Sequence, residues 1–394
     1  ENMPSPFPLD GLMYSGPGYQ VPVDFSWEID LWGKLRRQSE AAGASLMSTA
    51  AAMHNALLSV QADVALDYFR ARTLDAELDV VRQAVELRRE SLAIAQARVT
   101  AGAGSEVELA QAETYLAIAQ ADIPALLTQR DQLENAIAIL AGRNPASFNL
   151  PVRPNPATAP PRIPAGVPSD LLERRPDIAQ AERALAAASA RIGVAKAAAY
   201  PSLKLMANGG LLSGDFDLLP NAASLMWNAG PRLSVPLFSG GKNRAAHERA
   251  LAAHDEALAG YRQVILAAFA EVENSLSAVA NLMVQAAVQE RALESAAKAL
   301  DLARTRYEAG SSPYLDVIEA DRTALTVRRG AVRIRAQQWL ASIGLVKALG
   351  GGWDAVTPLA VPQVEPDPAA ALELHPPANG RGLVTRLKGF FKRN

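Results

Sequence analysis

From Tyr19 to Leu31 apolar and polar residues alternate. Tyr19, Val21, Val23, Phe25, Trp27, Ile29 and Leu31 fall on one face, and Gln20, Asp24, Ser26, Glu28 and Asp30 on the other, with only Pro22 off pattern. Period two predicts a strand over 19–31, longer than the roughly five or six residues common in soluble sheets. It matches the roughly 9–11 residues that a tilted strand needs to cross a bilayer. Phe25 and Trp27 lie on the apolar face and Asp24, Glu28 and Asp30 on the other, as lipid outside and water inside would demand. Two further strands are predicted at 201–212 and 225–238. Leu203, Leu205, Ala207 and Leu211 alternate with Ser202, Lys204 and Asn208, and Leu225, Trp227, Leu233, Val235 and Leu237 share one face. Taken alone, the same alternation also describes a soluble, half-buried sheet.

Between the strands the period changes. From Lys34 to Thr100 there is no proline and one glycine, Gly43, and Leu74, Leu78, Val81, Val85, Leu92 and Val99 recur at spacings suited to a coiled coil. The stretch predicts a helix over 34–100, about 100 Å long at 1.5 Å per residue. A tight turn at 101–105 and a return helix over 106–142 follow. Leu251, Leu258, Ile265, Phe269, Val272, Leu276, Val279 and Met283 continue the pattern in a second long helix, 243–309, with a turn at 310–313 and a return helix over 314–350. A shorter helix is expected over 177–199. On the helices alone, a cytosolic coiled-coil scaffold fits as well.

The chain repeats itself at an offset of 208 positions. Gly33 and Lys34 fall on Gly241 and Lys242, Arg36 on Arg244, Arg98, Ala101 and Gly102 on Arg306, Ala309 and Gly310, and Gly142 on Gly350. Self-similarity of this kind fixes architecture before any motif is read. It divides the chain into a first repeat (1–146), a proline-rich linker (147–168), a second repeat (169–354) and a proline-rich terminal segment (355–394). Pro151, Pro154, Pro156, Pro160, Pro161, Pro164 and Pro168 mark the first strap and Pro358, Pro362, Pro366 and Pro368 the second, a density incompatible with helix interior. By the offset, residues 170–230 should have a counterpart before residue 23. A first helix and first strand are therefore expected to be missing from this sequence, along with any signal peptide.

Composition narrows the class. The 394 residues carry a formal charge of −2, so bulk electrostatics give no case for nucleic acid as a partner. Cysteine is absent, which removes disulfides and thiolate chemistry. No run of about 18 apolar residues exists, so any membrane contact must come from strands. Three or four strands cannot close a barrel, which needs about eight. An open strand edge in hydrocarbon leaves unpaired backbone groups. If the membrane reading holds, the barrel must be shared between chains.

Three blocks carry a family resemblance. Leu171-Leu172-Glu173-Arg174-Arg175-Pro176-Asp177-Ile178 runs on through Ala181-Glu182 and Ile192-Gly193 to Tyr200-Pro201-Ser202-Leu203. Val235-Pro236-Leu237-Phe238-Ser239-Gly240-Gly241-Lys242 and Ala348-Leu349-Gly350-Gly351-Gly352-Trp353 stand beside it. Over residues 19–358 the chain resembles the TolC-type outer-membrane factors, in particular their lipoprotein branch. The resemblance implies a mostly α fold with transmembrane β-strands: long antiparallel coiled-coil hairpins under a trimeric β-barrel shared by a homotrimer. It implies the outer membrane of a Gram-negative cell, a periplasmic tunnel, and a lipid-bearing cysteine in the full-length form. The implied function is passive: an efflux duct receiving cargo from an inner-membrane RND-type pump through a periplasmic adaptor, with no cofactor. Residues of the two turns, Arg98, Thr100, Gly102 and Ser105 with Arg306, Gly310 and Ser312, would meet the adaptor. Asp316 and Glu319, three apart on one helix face, would form a ring of carboxylates selecting cations. Glu108 matches Asp316, while Gln111 replaces the second acid. Tyr307 would hydrogen-bond to Glu108 as a latch. Asp24, Glu28 and Asp30 would face the lumen, and Phe25, Trp27 and Trp227 the outer-membrane lipid.

Simpler readings stand beside these. Acids in a helix's first turn are favoured by the dipole, and Ser105 with Glu108 has capping-box spacing. Ser239-Gly240-Gly241-Lys242 departs from a phosphate-binding loop, since Pro236 and Asn243 stand where glycine and a hydroxyl residue are required. His54, His247, His254 and His375 show no metal-ligand grouping, so no enzyme is expected. A basic tail, Arg386 to Arg393, closes the chain. The alternatives are an exit duct for protein secretion, on the same fold, and a periplasmic adaptor or scaffold without a channel.

Overall fold

The computed structural model describes residues 18–153, 160, 161, 163, 174–213 and 224–351. Strand β1 (Tyr19–Ile29) leads into α1 (Lys34–Thr100), which turns back as α2 (Glu106–Leu140), and a 3-10 turn follows at Pro145–Ser147. The second repeat contributes α3 (Pro176–Ala197), β2 (Ser202–Ser213), β3 (Leu225–Ser234), α4 (Lys242–Glu308) and α5 (Tyr314–Ala348). The duplication is realised to the residue in the hairpins, since α1 and α4, and likewise α2 and α5, begin and end 208 positions apart. The proline straps fall mostly outside the described residues, as do the terminal segment with His375 and the basic tail, and Leu171 to Glu173, Gly352 and Trp353.

The hairpins close on knobs of modest size. Leu78, Val81 and Leu126 pack α1 on α2, with Leu74 and Ile123 against them. Ala296, Leu300 and Ala324 do the same for α4 and α5. Alanine dominates the buried set and allows close helix approach. Pro124 sits inside α2 and removes one backbone donor there, an interruption the heptad spacing did not anticipate.

The Arg174-Arg175-Pro176-Asp177 block is a structural joint. Pro176 occupies the first helical turn of α3, where its missing N–H is harmless. The Arg175 guanidinium is buried, pairs with Asp177 at 2.6 Å and Glu271 at 2.8 Å, and donates at 2.9 Å to the carbonyl of Ala348, the last residue of α5. At the other end of α3, Trp32 stacks on Tyr200 and donates from Nε1 to the Pro201 carbonyl at 2.7 Å. These contacts seat the sheet on the helices.

The sheet has the order β1-β2-β3, antiparallel throughout. The first strand ends at Ile29, two residues short of the expected 31. The third ends at Ser234, leaving Val235 and Leu237 beyond it. The reason at β1 is Asp30. Its carboxylate accepts from the Leu35 and Arg36 amides, each at 3.0 Å, and so caps α1 in place of continuing the strand. Asp30 is thus a helix cap rather than a lumen-facing strand residue.

Candidate functional site: the sheet and the helical tips

Register determines which side chains share a face. Phe25 lies opposite Ala207, Trp27 opposite Leu205, and Val23 opposite Gly209, which lies opposite Trp227. One face therefore runs unbroken from Tyr19, Val21, Val23, Phe25 and Trp27 through β2 to Leu225, Trp227 and Leu233. It is open within one chain, with Trp227 78% exposed. The opposite face carries two polar rows: Asp24, Asn208 and Asn228, then Glu28, Lys204 and Arg232. Glu28 pairs with Lys34 at 3.1 Å and Lys204 at 3.4 Å. Among the described residues the outer edges of β1 and β3 have no strand partner.

At the far end of the hairpins the two turns are one structure used twice. After α1 the Gly102 amide donates to the Val99 carbonyl and the Ala103 amide to Arg98; after α4 the Gly310 amide donates to Tyr307 and the Ser311 amide to Arg306, all at 2.9 Å. This is the Schellman closure, with Gly102 and Gly310 in the left-handed conformation at φ 71° and 72°. The turns then diverge. Ser105 caps α2 by accepting from the Val107 amide at 3.1 Å, without the reciprocal half of a capping box. Pro313 precedes α5 with no side-chain cap. Thr100 donates to the Gln96 carbonyl, and Arg306 projects into solvent.

Tyr307 joins the tips, though not by the expected bond. Its ring is buried with Ala95, Ala112, Tyr314, Val317 and Ile318. Arg98 reaches from α1 to lie 4.8 Å from the ring centroid and donates at 3.5 Å to the Tyr307 carbonyl. The phenol oxygen is buried and makes no hydrogen bond, so the Tyr307–Glu108 bond is absent. Glu108 acts on Tyr307 only through its charge. Burial, and after it Glu108, push the phenol pKa up, while Arg98 opposes. The Ser312 hydroxyl is likewise buried without a partner. Asp316 and Glu319 are both exposed near the start of α5, and neither forms an ion pair among the described residues.

Two charge clusters, the first buried and the second partly buried, escaped the sequence reading, because arginines and acids on helices read as solvated faces. In the first, Asp75 on α1 accepts from Arg72 at 2.7 Å and from Arg130 of α2 at 2.8 Å, and Arg130 also pairs with Glu134. Arg72 and Arg130 donate onward to the carbonyls of Pro151 and Leu150, so the cluster pins the start of the first strap. The second cluster joins the hairpins: Arg88 pairs with Asp321 at 2.9 Å, Arg333 with Glu77 at 2.8 Å, and Arg329 with Asp122 at 3.0 Å. The 208 offset does not single them out, since exposed charges such as Arg89, matched by Ala297, are lost across it as well.

Among the described residues no helix is long and apolar enough to cross a membrane, and no group of His, Cys, Asp or Glu could hold a metal ion. A sheet with one apolar and one polar face, carried on paired helical hairpins about 100 Å long, defines an outer-membrane channel subunit. The family model described as outer membrane efflux protein matches residues 13–143 and 167–351, and the chain belongs to that family. It is 35% identical over 337 residues to the pyoverdine export outer membrane protein OpmQ of Pseudomonas aeruginosa, covering 86% of this chain and 71% of that protein. To the solvent efflux pump outer membrane protein SrpC of Pseudomonas putida it is 36% identical over 337 residues, covering 85% and 71%. The solved structure of the outer-membrane channel OprN superposes with a TM-score of 0.80 at 29% identity, over 86% of this chain and 76% of that one. The protein is an outer-membrane efflux channel component of a Gram-negative bacterium, and its family is one of transport proteins, not enzymes.

Proposed function

We propose that three copies assemble into one barrel and one tunnel, and that the tunnel passively conducts small molecules handed over by an RND-type inner-membrane pump through a periplasmic adaptor. The observation that carries the trimer is the sheet, which exposes a continuous apolar face and two open edges while its other face is lined by charge. The described residues hold too few strands for one chain to close around water, and lipid tolerates no open edge. In this reading Phe25, Trp27 and Trp227 meet lipid, and Asp24 and Glu28 line the lumen. The tip residues Arg98, Thr100, Gly102, Ser105, Arg306, Gly310 and Ser312 form the adaptor's docking surface. Asp316 and Glu319, exposed and unpaired, become a threefold ring of carboxylates that favours cations. The duct performs no chemistry of its own. OpmQ and SrpC are named for different cargoes, which fits a wall that need not recognise what passes.

The test is conductance of the full-length protein in planar bilayers. Replacing Asp316 and Glu319 together with alanine should raise conductance and weaken cation preference; unchanged selectivity would remove both from the pore.

A further inference from the structure

Between α1 and α5, beneath the first proline strap, lies a crevice of about 310 Å³. That volume is at the lower end of what small-molecule pockets occupy. On α1 its wall is Leu58, Ala62 and Ala65, in line on one helix face; on α5 it is Trp339, Ile343 and Lys347, spaced by four. Pro161 and Ile163 of the strap line the remaining side. All of these residues belong to one chain, so the crevice is built without a second copy.

Its shape is fixed from several sides. Arg72 and Arg130 hold the strap at the Pro151 and Leu150 carbonyls, and farther along Ile163 packs against Val272, Leu345 and Ala348. Trp339 stacks on Phe69 with ring centroids 4.4 Å apart and closes one end. At the other end Gly351 packs so tightly on Leu58 that an added methyl group would collide with it. Polar side chains are few in the lining. The Ser342 hydroxyl donates to the Gln338 carbonyl at 2.8 Å, and Gln61 is exposed. The Lys347 ammonium is different: the residue is half-buried, and the group has no hydrogen bond or ion pair among the described residues. A lysine in the last turn of a helix is favoured by the dipole. Here, however, the final carbonyls are already engaged. The Leu349, Gly350 and Gly351 amides donate to Leu345, Lys347 and Val346, and Arg175 donates to Ala348.

An unpaired ammonium at the end of an apolar slot is complemented by an anion that carries a hydrocarbon chain. Lys347 and Trp339 stand eight residues apart on α5, about 12 Å at 1.5 Å per residue, with Ile343 between them. We propose that this crevice binds a free, single-chain carboxylate of medium length, its head on Lys347 and its tail running past Ile343 to Trp339 under the strap. The bound chain touches α1, α5 and the strap together, so occupancy stabilises the join between the two hairpins.

Decanoate is the probe. Full-length protein held in an amphipathic polymer, free of detergent, should bind decanoate saturably in a calorimetric titration, at one site per chain, and decanol more weakly. Lys347→Gln should weaken decanoate binding by roughly tenfold or more and leave decanol binding unchanged, while Lys347→Arg should restore the preference for decanoate. Ala65→Phe, which places a ring in the crevice, should abolish binding of both. Melting of each variant without ligand at the wild-type temperature separates lost binding from lost folding. A decanoate carrying a diazirine should label the wild-type protein near Ala65 or Ile343, a result that needs no variant. Uptake that does not saturate, label confined to other segments, or a Lys347→Gln variant that binds decanoate like the wild type would overturn the site. Decyltrimethylammonium binding as tightly as decanoate would overturn it too, because the lysine would then select nothing.

Discussion

The guanidinium of Arg98 lies 4.8 Å from the centre of the Tyr307 ring, joining the end of the first long helix to the end of the second. The phenol hydroxyl of that ring takes no part. The tips are therefore held by the face of the ring and by a buried apolar cluster, and the hydroxyl contributes nothing to holding them.

It follows that Tyr307→Phe should leave resting conductance unchanged and should not destabilise the protein, because it deletes a buried hydroxyl that has no partner. Arg98→Ala removes the cation over the ring at a cost of about 0.5–1 kcal/mol, and should raise resting conductance. Single-channel recordings of the two variants side by side decide the matter; a leaky Tyr307→Phe channel would reinstate a hydroxyl latch.

The Asp75 cluster sets a different expectation. Asp75→Asn leaves Arg72 and Arg130 buried beside a neutral group, which should cost about 3–5 kcal/mol. Thermal unfolding of the purified protein would register this as a marked drop in Tm. Protease cleavage near Leu150 should rise with it, since both arginines also hold the strap's carbonyls.

Gly102→Ala and Gly310→Ala should each cost roughly 1–2 kcal/mol from backbone conformation alone. A methyl group at either position would touch nothing within 4 Å, so crowding plays no part. Neither added methyl would touch anything, so the two sites share no partner through it and the penalties should add in the double variant. Equal Tm values for wild type and double variant would contradict the left-handed closure.

Asp30 supplies a pH dependence. Burial acts to raise its pKa, but the Arg36 and Leu35 amides and the Arg36 guanidinium outweigh it and hold the pKa below the usual carboxylate value. A depressed folded pKa stabilises the start of α1 above the ordinary carboxylate range, and that support is lost as pH falls through the lowered value. Protection of the Leu35 and Arg36 amides, measured as exchange relative to an unstructured amide at the same pH, should fall in acid, and Asp30→Ala should show the lowered protection already at neutral pH. Identical exchange in the variant would rule out the cap.

Much of this architecture was legible in the residues. Strand, long helix, turn and return helix follow from a period of two giving way to spacings of three and four, and the repeat at 208 positions set the hairpin lengths. The apolar face of Phe25, Trp27 and Trp227 was readable because a strand's side chains alternate by geometry alone. The failures share a cause. Asp30 continued the strand's alternation yet turned to the helix amides, since an unpaired helix end competes for any nearby carboxylate. Tyr307 and Glu108 were close enough to feel each other's charge but not to bond.

Periodicity is local, so the chain's own order determined its elements, its duplication and which faces are apolar. The pairing of charges is not local. Arg88 meets Asp321, Arg333 meets Glu77 and Arg130 meets Asp75 only because packing brings together helices that are far apart in the chain, and a long flexible arginine reports nothing in sequence about where its end will lie. The tertiary structure alone decided which charges became fasteners between the two hairpins.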